Sequence, residues 1–309
     1  MKLKQSANSL GGGLYNANKE VYTFLRYGVN IQAEVTEKKK MVHLIDWANP
    51  MENDFQIAEE VTIQGASDRR PDLVVYVNGI ALAVIELKRS TVSAHEGIRQ
   101  NIRNQQDGYI PRFFTTIQLL FAGNDTEGLH YGVIKTPEKF WLRWKEPCGE
   151  PCQPSHFTAK EYPNELDRSV LQFFEPVRLL EYIHDFIIFD GGIKKTARPN
   201  QYFAVKAAQP RVRKKQNGII WHSQGSGKSL TMVWLAQWIR ENVSDARVVI
   251  ITDRDELDKQ IESGFKDVGE QIQRAKSGGK LIEMLNAAEP WLICTLIHKF
   301  GNKNDSDAI

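Results

Sequence analysis

The chain has 309 residues, enough for two separate cores, and its 41% hydrophobic and 25% charged residues exclude a disordered or fibrous protein. Its apolar runs, such as 218–221 and 248–251, are too short to span a bilayer, and residues 1–13 have lysines but no apolar stretch after them, so no membrane partner is expected and the expected compartment is the cytoplasm. Residues 1–190 hold 21 basic against 25 acidic side chains (net −4) and residues 191–309 hold 19 against 13 (net +6), which points the second half toward a polyanion and leaves room in the first only for a local, cation-collecting site.

In chain order, a helix is expected over 16–27, short strands over 41–46 and 55–63, a hairpin over 73–87 and a helix from 94 to about 107. Strands follow at 117–122 and 130–134. Segments 167–176 and 177–189 read as helices, because Leu179, Leu180, Ile183 and Phe186 recur at helical spacing. Asp190-Gly191-Gly192 breaks that pattern, so two domains are expected, 1–190 and 191–309. Beyond the break the order strand, loop, helix, strand, helix, strand implies parallel α/β architecture. Cys148 and Cys152, with His156 four residues further on, lack the fourth ligand and paired second half of a zinc site, and read as reduced thiols.

The first constellation lies on the hairpin. Asn78-Gly79 is a strong turn signal between two runs that are apolar on both faces, so the hairpin belongs inside its sheet. Glu86 and Lys88 are two apart and share a face. A two-residue turn at Asn78-Gly79 pairs Asp72 with Ile85 and turns it away from Glu86. A three-residue loop, 77–79, pairs Asp72 with Val84 and gathers Asp72, Glu86 and Lys88; this second geometry is expected. Two carboxylates held close raise one pKa unless a cation sits between them. Mg²⁺, or Mn²⁺ in its place, suits Asp72 and Glu86 as ligands and would polarise a phosphate, while Lys88 orients water and offsets transition-state charge. The alternative is a surface salt bridge at a strand end.

Pro71-Asp72, a hairpin, then Glu86-x-Lys88 resembles the signature of the PD-(D/E)xK nucleases. Ser93-Ala-His-Glu96 forms a capping box that starts the next helix. Gln105 and Tyr109 are four apart, on one face of its far end. They resemble the Gln-x3-Tyr motif of the RecB-like branch, which implies DNA contact and bracing of the site; the alternative is an ordinary amphipathic helix end. Glu20, on the first helix, stands where some of these nucleases carry an accessory acid.

The second constellation is a phosphate loop. Strand 218–221 leads into Gln224-Gly225-Ser226-Gly227-Lys228-Ser229 and a helix with Leu230, Val233, Trp234 and Trp238 on its apolar face. Amides of Gly225, Ser226 and Gly227 would cradle the phosphates of ATP, Lys228 would reach the β- and γ-phosphates, and Ser229 would hold Mg²⁺. His222 replaces the first glycine of the usual pattern. The surroundings resemble superfamily 2 motors: Gln201 matches the glutamine that reads adenine, Asp253 and Arg254 match a motif touching the DNA backbone, and 291–300 matches the strand before the Walker B acid. Gln201 as a surface helix residue and Asp253-Arg254 as a local ion pair are the alternatives.

Together these residues resemble the restriction (R, HsdR) subunit of type I restriction–modification enzymes, with further likeness in Leu25-Arg26-Tyr27-Gly28 and Trp221-His222-Ser223-Gln224-Gly225. The resemblance implies a PD-(D/E)xK restriction-endonuclease-like domain followed by a partial RecA-like P-loop domain, truncated before Walker B and with negligible ATP hydrolysis. It implies Mg-dependent cleavage of double-stranded DNA, ATP-driven translocation, and modification (HsdM) and specificity (HsdS) subunits as partners. The rival readings are a repair helicase–nuclease outside restriction systems and a non-catalytic module that binds DNA or nucleotide.

Overall fold

The apolar hairpin lies inside a six-stranded sheet, as strands apolar on both faces must. A computed structural model of the chain describes residues 12–32, 39–146 and 164–300; Cys148, Cys152 and His156 lie outside them. The chain clusters into two units, Met1–Ile187 with Gly192–Pro199 and Ile188–Gly191 with Asn200–Ile309.

The first unit opens with α1 (Gly13–Tyr27) and an antiparallel ribbon of β1 (Val29–Ile31) and β2 (Lys40–Val42). Its main sheet has the order β3-β4-β5-β6-β7-β8: β3 (Phe55–Glu59), β4 (Leu73–Val77), β5 (Ile80–Leu87), β6 (Leu119–Asn124), β7 (Gly128–Gly132) and β8 (Leu142–Arg143). Only β5 and β6 run parallel, joined by a crossover through α2 (Ala94–Asn104). One sheet face packs Val74, Val84, Leu120 and Ala122 against Ile98, Ile110 and Phe114. Phe121 and Tyr131, paired across β6 and β7, stack with Phe173 of α3 (Glu165–Phe173), and Tyr131 also meets Tyr182 of α4 (Pro176–Asp185).

Strands β9 (Ile187–Asp190) and β10 (Ile193–Thr196) stand where the chain passes between the units. The helix expected to run to Phe189 ends at Asp185, because Ile187-Ile188-Phe189 is β-branched and aromatic and prefers extended backbone. The strand expected over 41–46 is confined to Lys40–Val42; Asp46 instead accepts the amides of Ala48 and Asn49 in a turn.

In the second unit, α5 (Pro199–Arg213) precedes α6 (Lys228–Asn242), and β11 (Val248–Thr252), β12 (Ile272–Arg274) and β13 (Leu292–Leu296) form a parallel sheet of order β11-β13-β12. Val233 of α6 and Ile261 and Phe265 of α7 (Asp255–Asp267) cover one face; Leu281 and Met284 of α8 (Gly278–Asn286) cover the other. Both units mix helices with a sheet, and the second has the parallel α/β arrangement that its alternation of patterns implied. The strand expected at 218–221 is not formed. Ile219 is 89% and Trp221 91% exposed, and without a partner strand an apolar run has no ladder to join.

Candidate functional site

Asn78 and Gly79 have φ of 51° and 74°, the two left-handed residues of a two-residue type I′ turn, and Val77 pairs with Ile80. The three-residue loop expected from the sequence is therefore not formed. Asn78 holds the tight turn itself: its side chain accepts the amide of Asp54 at 2.8 Å and donates to Leu44 O and to Asn53 Oδ1. The register then shifts within the ribbon. Tyr76 faces Ala81, but Val75 faces Ala83, so Leu82 is an extra residue on β5. From there Val74 faces Val84 and Leu73 faces Ile85, which carries Asp72 to a position opposite Glu86 rather than Val84 or Ile85. A bulge in the strand does what the longer loop was expected to do.

The three charged groups converge. Lys88 Nζ lies 3.8 Å from Asp72 Oδ2 and 3.9 Å from Glu86 Oε2. Asp72 Oδ2 accepts the amide of Leu87 at 2.6 Å, which fixes the carboxylate against the end of β5. Glu86 is fully buried, and neither of its carboxylate oxygens has a hydrogen-bond partner. Burial pushes its carboxyl up to about 8, the charge of Asp72 adds to that, and the charges of Lys88 and Arg103 pull it back. A buried carboxyl left unbonded is costly, and its oxygens with those of Asp72 make an all-oxygen donor set of the kind a hard divalent cation takes.

Helix α2 lies close over this end of β5. A Cβ on Gly97 would stand 3.1 Å from Glu86 O and 3.1 Å from the Ala122 Cβ, so only glycine fits without a shift. Nothing in the expected site included Gly97; the available signal was a glycine inside a helix, where it costs stability unless packing requires it. Ser93 caps α2 by accepting the amide of His95, but Glu96 pairs with Arg99 at 2.7 Å instead of completing the capping box.

Gln105 and Tyr109 do not share a helix face. α2 ends at Asn104, Gln105 is its C-cap, and Tyr109 follows in a turn closed by its amide to Gln106 O. Asn104 and Asp107-Gly108 are poor helix formers. Both ends of the Gln105 amide are taken up by the protein: Nε2 donates to Asn101 O at 2.9 Å and Oε1 accepts the amide of Lys135 at 2.7 Å. The Arg69 guanidinium stacks 4.3 Å from the Tyr109 ring centroid. Neither residue bonds to Asp72, Glu86 or Lys88 among the described residues. Glu20 is exposed on α1 and forms no ion pair among the described residues.

In the second unit, Gly225 and Gly227 have φ of 76° and 84°, and Gly227 is the N-cap of α6. Lys228 Nζ donates to the carbonyls of His222 (3.2 Å) and Ser223 (3.0 Å), and Ser226 Oγ to Ser223 O (2.8 Å), closing a compact loop. His222 keeps an ordinary negative φ, so its side chain is tolerated where the usual pattern has glycine. Gln201, 2% exposed, donates to Gly227 O at 2.8 Å. Gly225, Gly227, Lys228, Ser229, Asp253 and Arg254 line one cavity of about 720 Å³, in the size range of small-molecule sites. Asp253 and Arg254 are exposed at its rim and 3.7 Å apart.

Two family models match the chain: the type I restriction enzyme R protein N terminus over residues 1–139 and the SWI2/SNF2 ATPase over residues 200–309. Among similar curated proteins, a Methanocaldococcus jannaschii protein assigned as a type I restriction enzyme endonuclease subunit is 27% identical over 99% of this chain and 32% of its own length. The SsaAORF53P endonuclease subunit of Staphylococcus saprophyticus is 26% identical over 88% of this chain and 29% of its own length. The SauMSSORF170P endonuclease subunit of Staphylococcus aureus is 25% identical over the same 88% and 29%. The chain thus spans about a third of the length of the curated relatives it matches. No described helix is long and apolar enough to cross a membrane. Over most of its length, therefore, the chain resembles type I restriction endonuclease subunits, with an R-protein N-terminal segment followed by a SWI2/SNF2 ATPase segment.

Proposed function

We propose that this chain is the cutting and nucleotide-binding end of a type I restriction subunit. Its first part, 1–190, is read as a PD-(D/E)xK nuclease domain and its second, 191–309, as part of a RecA-like motor domain. Asp72, Glu86 and Lys88 hydrolyse phosphodiester bonds of double-stranded DNA, and the loop of Lys228 and Ser229 takes ATP for translocation. Asp253 and Arg254 meet the DNA backbone, and Gln105 and Tyr109 brace the nuclease site. Modification (HsdM) and specificity (HsdS) subunits supply target recognition, and the assembly works in the cytoplasm.

One observation carries the reading: the two buried oxygens of Glu86, without a donor, stand opposite a second carboxylate. A carboxylate kept only for a salt bridge is ordinarily hydrogen-bonded as well; neither oxygen of Glu86 is, with Lys88 Nζ standing off at 3.9 Å, and burial holds its carboxyl above neutrality. Asp72 and Glu86 would hold Mg²⁺ or Mn²⁺, which when bound supplies the Lewis acidity that polarises the scissile phosphate and acidifies a water. Asp72 is kept in position by the Leu87 amide. Lys88, within 4 Å of both acids, keeps the attacking water oriented and offsets charge building on the phosphate. In the second unit Ser229 would hold the Mg²⁺ of ATP, and Lys228 would turn from two loop carbonyls to the phosphates.

The test uses the full restriction complex. Asp72→Ala and Lys88→Ala should each abolish cleavage and leave DNA translocation intact. Loss of translocation as well, with folding unchanged, would mean that these residues serve the assembly rather than the chemistry.

A further inference from the structure

The connection from β3 to β4 closes on itself just before Asp72. The Ile63 amide donates to Arg69 O at 2.8 Å, and the Arg69 amide to Ile63 O at 3.0 Å. Inside that closure the Gly65 amide donates to Asp68 Oδ1 at 3.1 Å. The closed loop rests on the backbone of Tyr109, beyond the end of α2. The Ala66 amide donates to Tyr109 O at 3.0 Å, and a Cβ on Gly65 would fall 2.3 Å from that oxygen. Only glycine allows so close an approach.

This loop presents one cation. Arg69 is half-buried and stands three residues before Asp72. Its guanidinium lies 4.3 Å from the Tyr109 ring centroid. Nη1 donates to Ser67 Oγ at 3.0 Å and to Asp68 O at 2.9 Å. The group is thus held at one face and one corner. The other edge, Nε with Nη2, has no hydrogen-bond partner among the described residues, and Arg69 forms no ion pair among them. The cations around it are covered: Arg70 pairs with Glu60, and Lys88 stands within 4 Å of Asp72 and Glu86. Holding an arginine still costs side-chain entropy, and here the charge so fixed is met by no carboxylate. Its open edge is a planar fork whose N–H groups match two oxygens of one phosphate.

We infer that Arg69 grips a backbone phosphate of the DNA near the bond that is cut, with Tyr109 as the positioning residue that keeps the guanidinium flat. Three residues of chain reach at most about 11 Å, so that phosphate lies within a few nucleotides of the one at Asp72. Tyr109 then acts through Arg69, not through Asp72 or Glu86. The clamp rests on the reading of Asp72, Glu86 and Lys88 as a nuclease site.

Duplex binding by the full chain, followed by fluorescence anisotropy from about 50 to 200 mM salt, tests it. Arg69→Leu should weaken binding about tenfold at the low end and reduce the salt slope by about one. Arg69→Lys should recover the slope but not the whole affinity, since an ammonium offers no fork. Tyr109→Leu should lose most of the affinity that Arg69→Leu loses, and the double variant no more than Arg69→Leu alone. Tyr109→Phe, which keeps the ring, should restore most of it. In the full restriction complex Arg69→Leu should slow cleavage about tenfold with the translocation rate unchanged. Variants that unfold at lower urea yet bind with the parent's affinity and slope would make the stack purely structural and overturn the clamp. So would additive losses in the double variant. Failure of the nuclease reading is separate: it shows as cleavage that survives Asp72→Ala, and it overturns the clamp with it.

Discussion

Asp72 faces Glu86 across the ribbon because Leu82 is one residue too many for a regular β5. The consequence is electrostatic. Two carboxyls meet at the buried end of a central strand, and Lys88 Nζ stands within 4 Å of both.

Glu86→Gln should stabilise the protein in EDTA at alkaline pH. The folded carboxyl titrates at about 8 and the unfolded one near 4.5. Between those values the folded state holds more protons, so stability falls as pH rises and the loss is complete above about 8. The amide carries no charge at any pH. Its melting temperature should exceed the parent's by several degrees at about pH 9 and converge with it below about pH 5. A lower melting temperature for Glu86→Gln at both pH values would contradict this.

Binding of Mn²⁺ to the chain should depend on the same proton. The ion must displace it, so affinity should rise about tenfold per unit between roughly pH 6 and 8 and level off above. Calorimetry across that range reads it. A flat profile would mean that Glu86 is not a ligand.

Gly97→Val should push α2 away from β5. Its side chain would meet Glu86 O and Ala122, at a cost of about 1–3 kcal/mol in urea unfolding, and Mn²⁺ affinity should fall with it. Unchanged stability would show that the close approach of the helix is not required.

The hairpin and its interior position were legible because Asn78-Gly79 and two unbroken apolar runs state them locally. The bulge was not: Leu82 is an apolar residue among apolar residues, and only pairing with β4 reveals that it is surplus. The convergence of Asp72, Glu86 and Lys88 was anticipated by the wrong route. A spacing of four puts Gln105 and Tyr109 on one face only of a continuing helix, and α2 has already ended at Asn104, before either of them. The apolar run 218–221 signals a strand without saying whether a neighbour exists to pair with it. In the loop before Lys228, Gly225 and Gly227 take left-handed backbone, which glycine adopts without a Cβ penalty, so the turn there is stated locally by the sequence.

Gln105→Ala should act on stability before it acts on DNA. It frees the Lys135 amide and the Asn101 carbonyl, a loss of about 1–2 kcal/mol measurable by urea unfolding. DNA affinity of the folded variant should change less than about threefold. A tenfold loss of DNA affinity with stability unchanged would instead make Gln105 a direct contact.

The most direct measurement is anomalous diffraction from crystals of the chain soaked in Mn²⁺. A peak should appear between Asp72 and Glu86, about 2.1 Å from a carboxylate oxygen of each. Glu86 found still buried with no ion beside it, at Mn²⁺ concentrations that load other sites, would contradict the nuclease account.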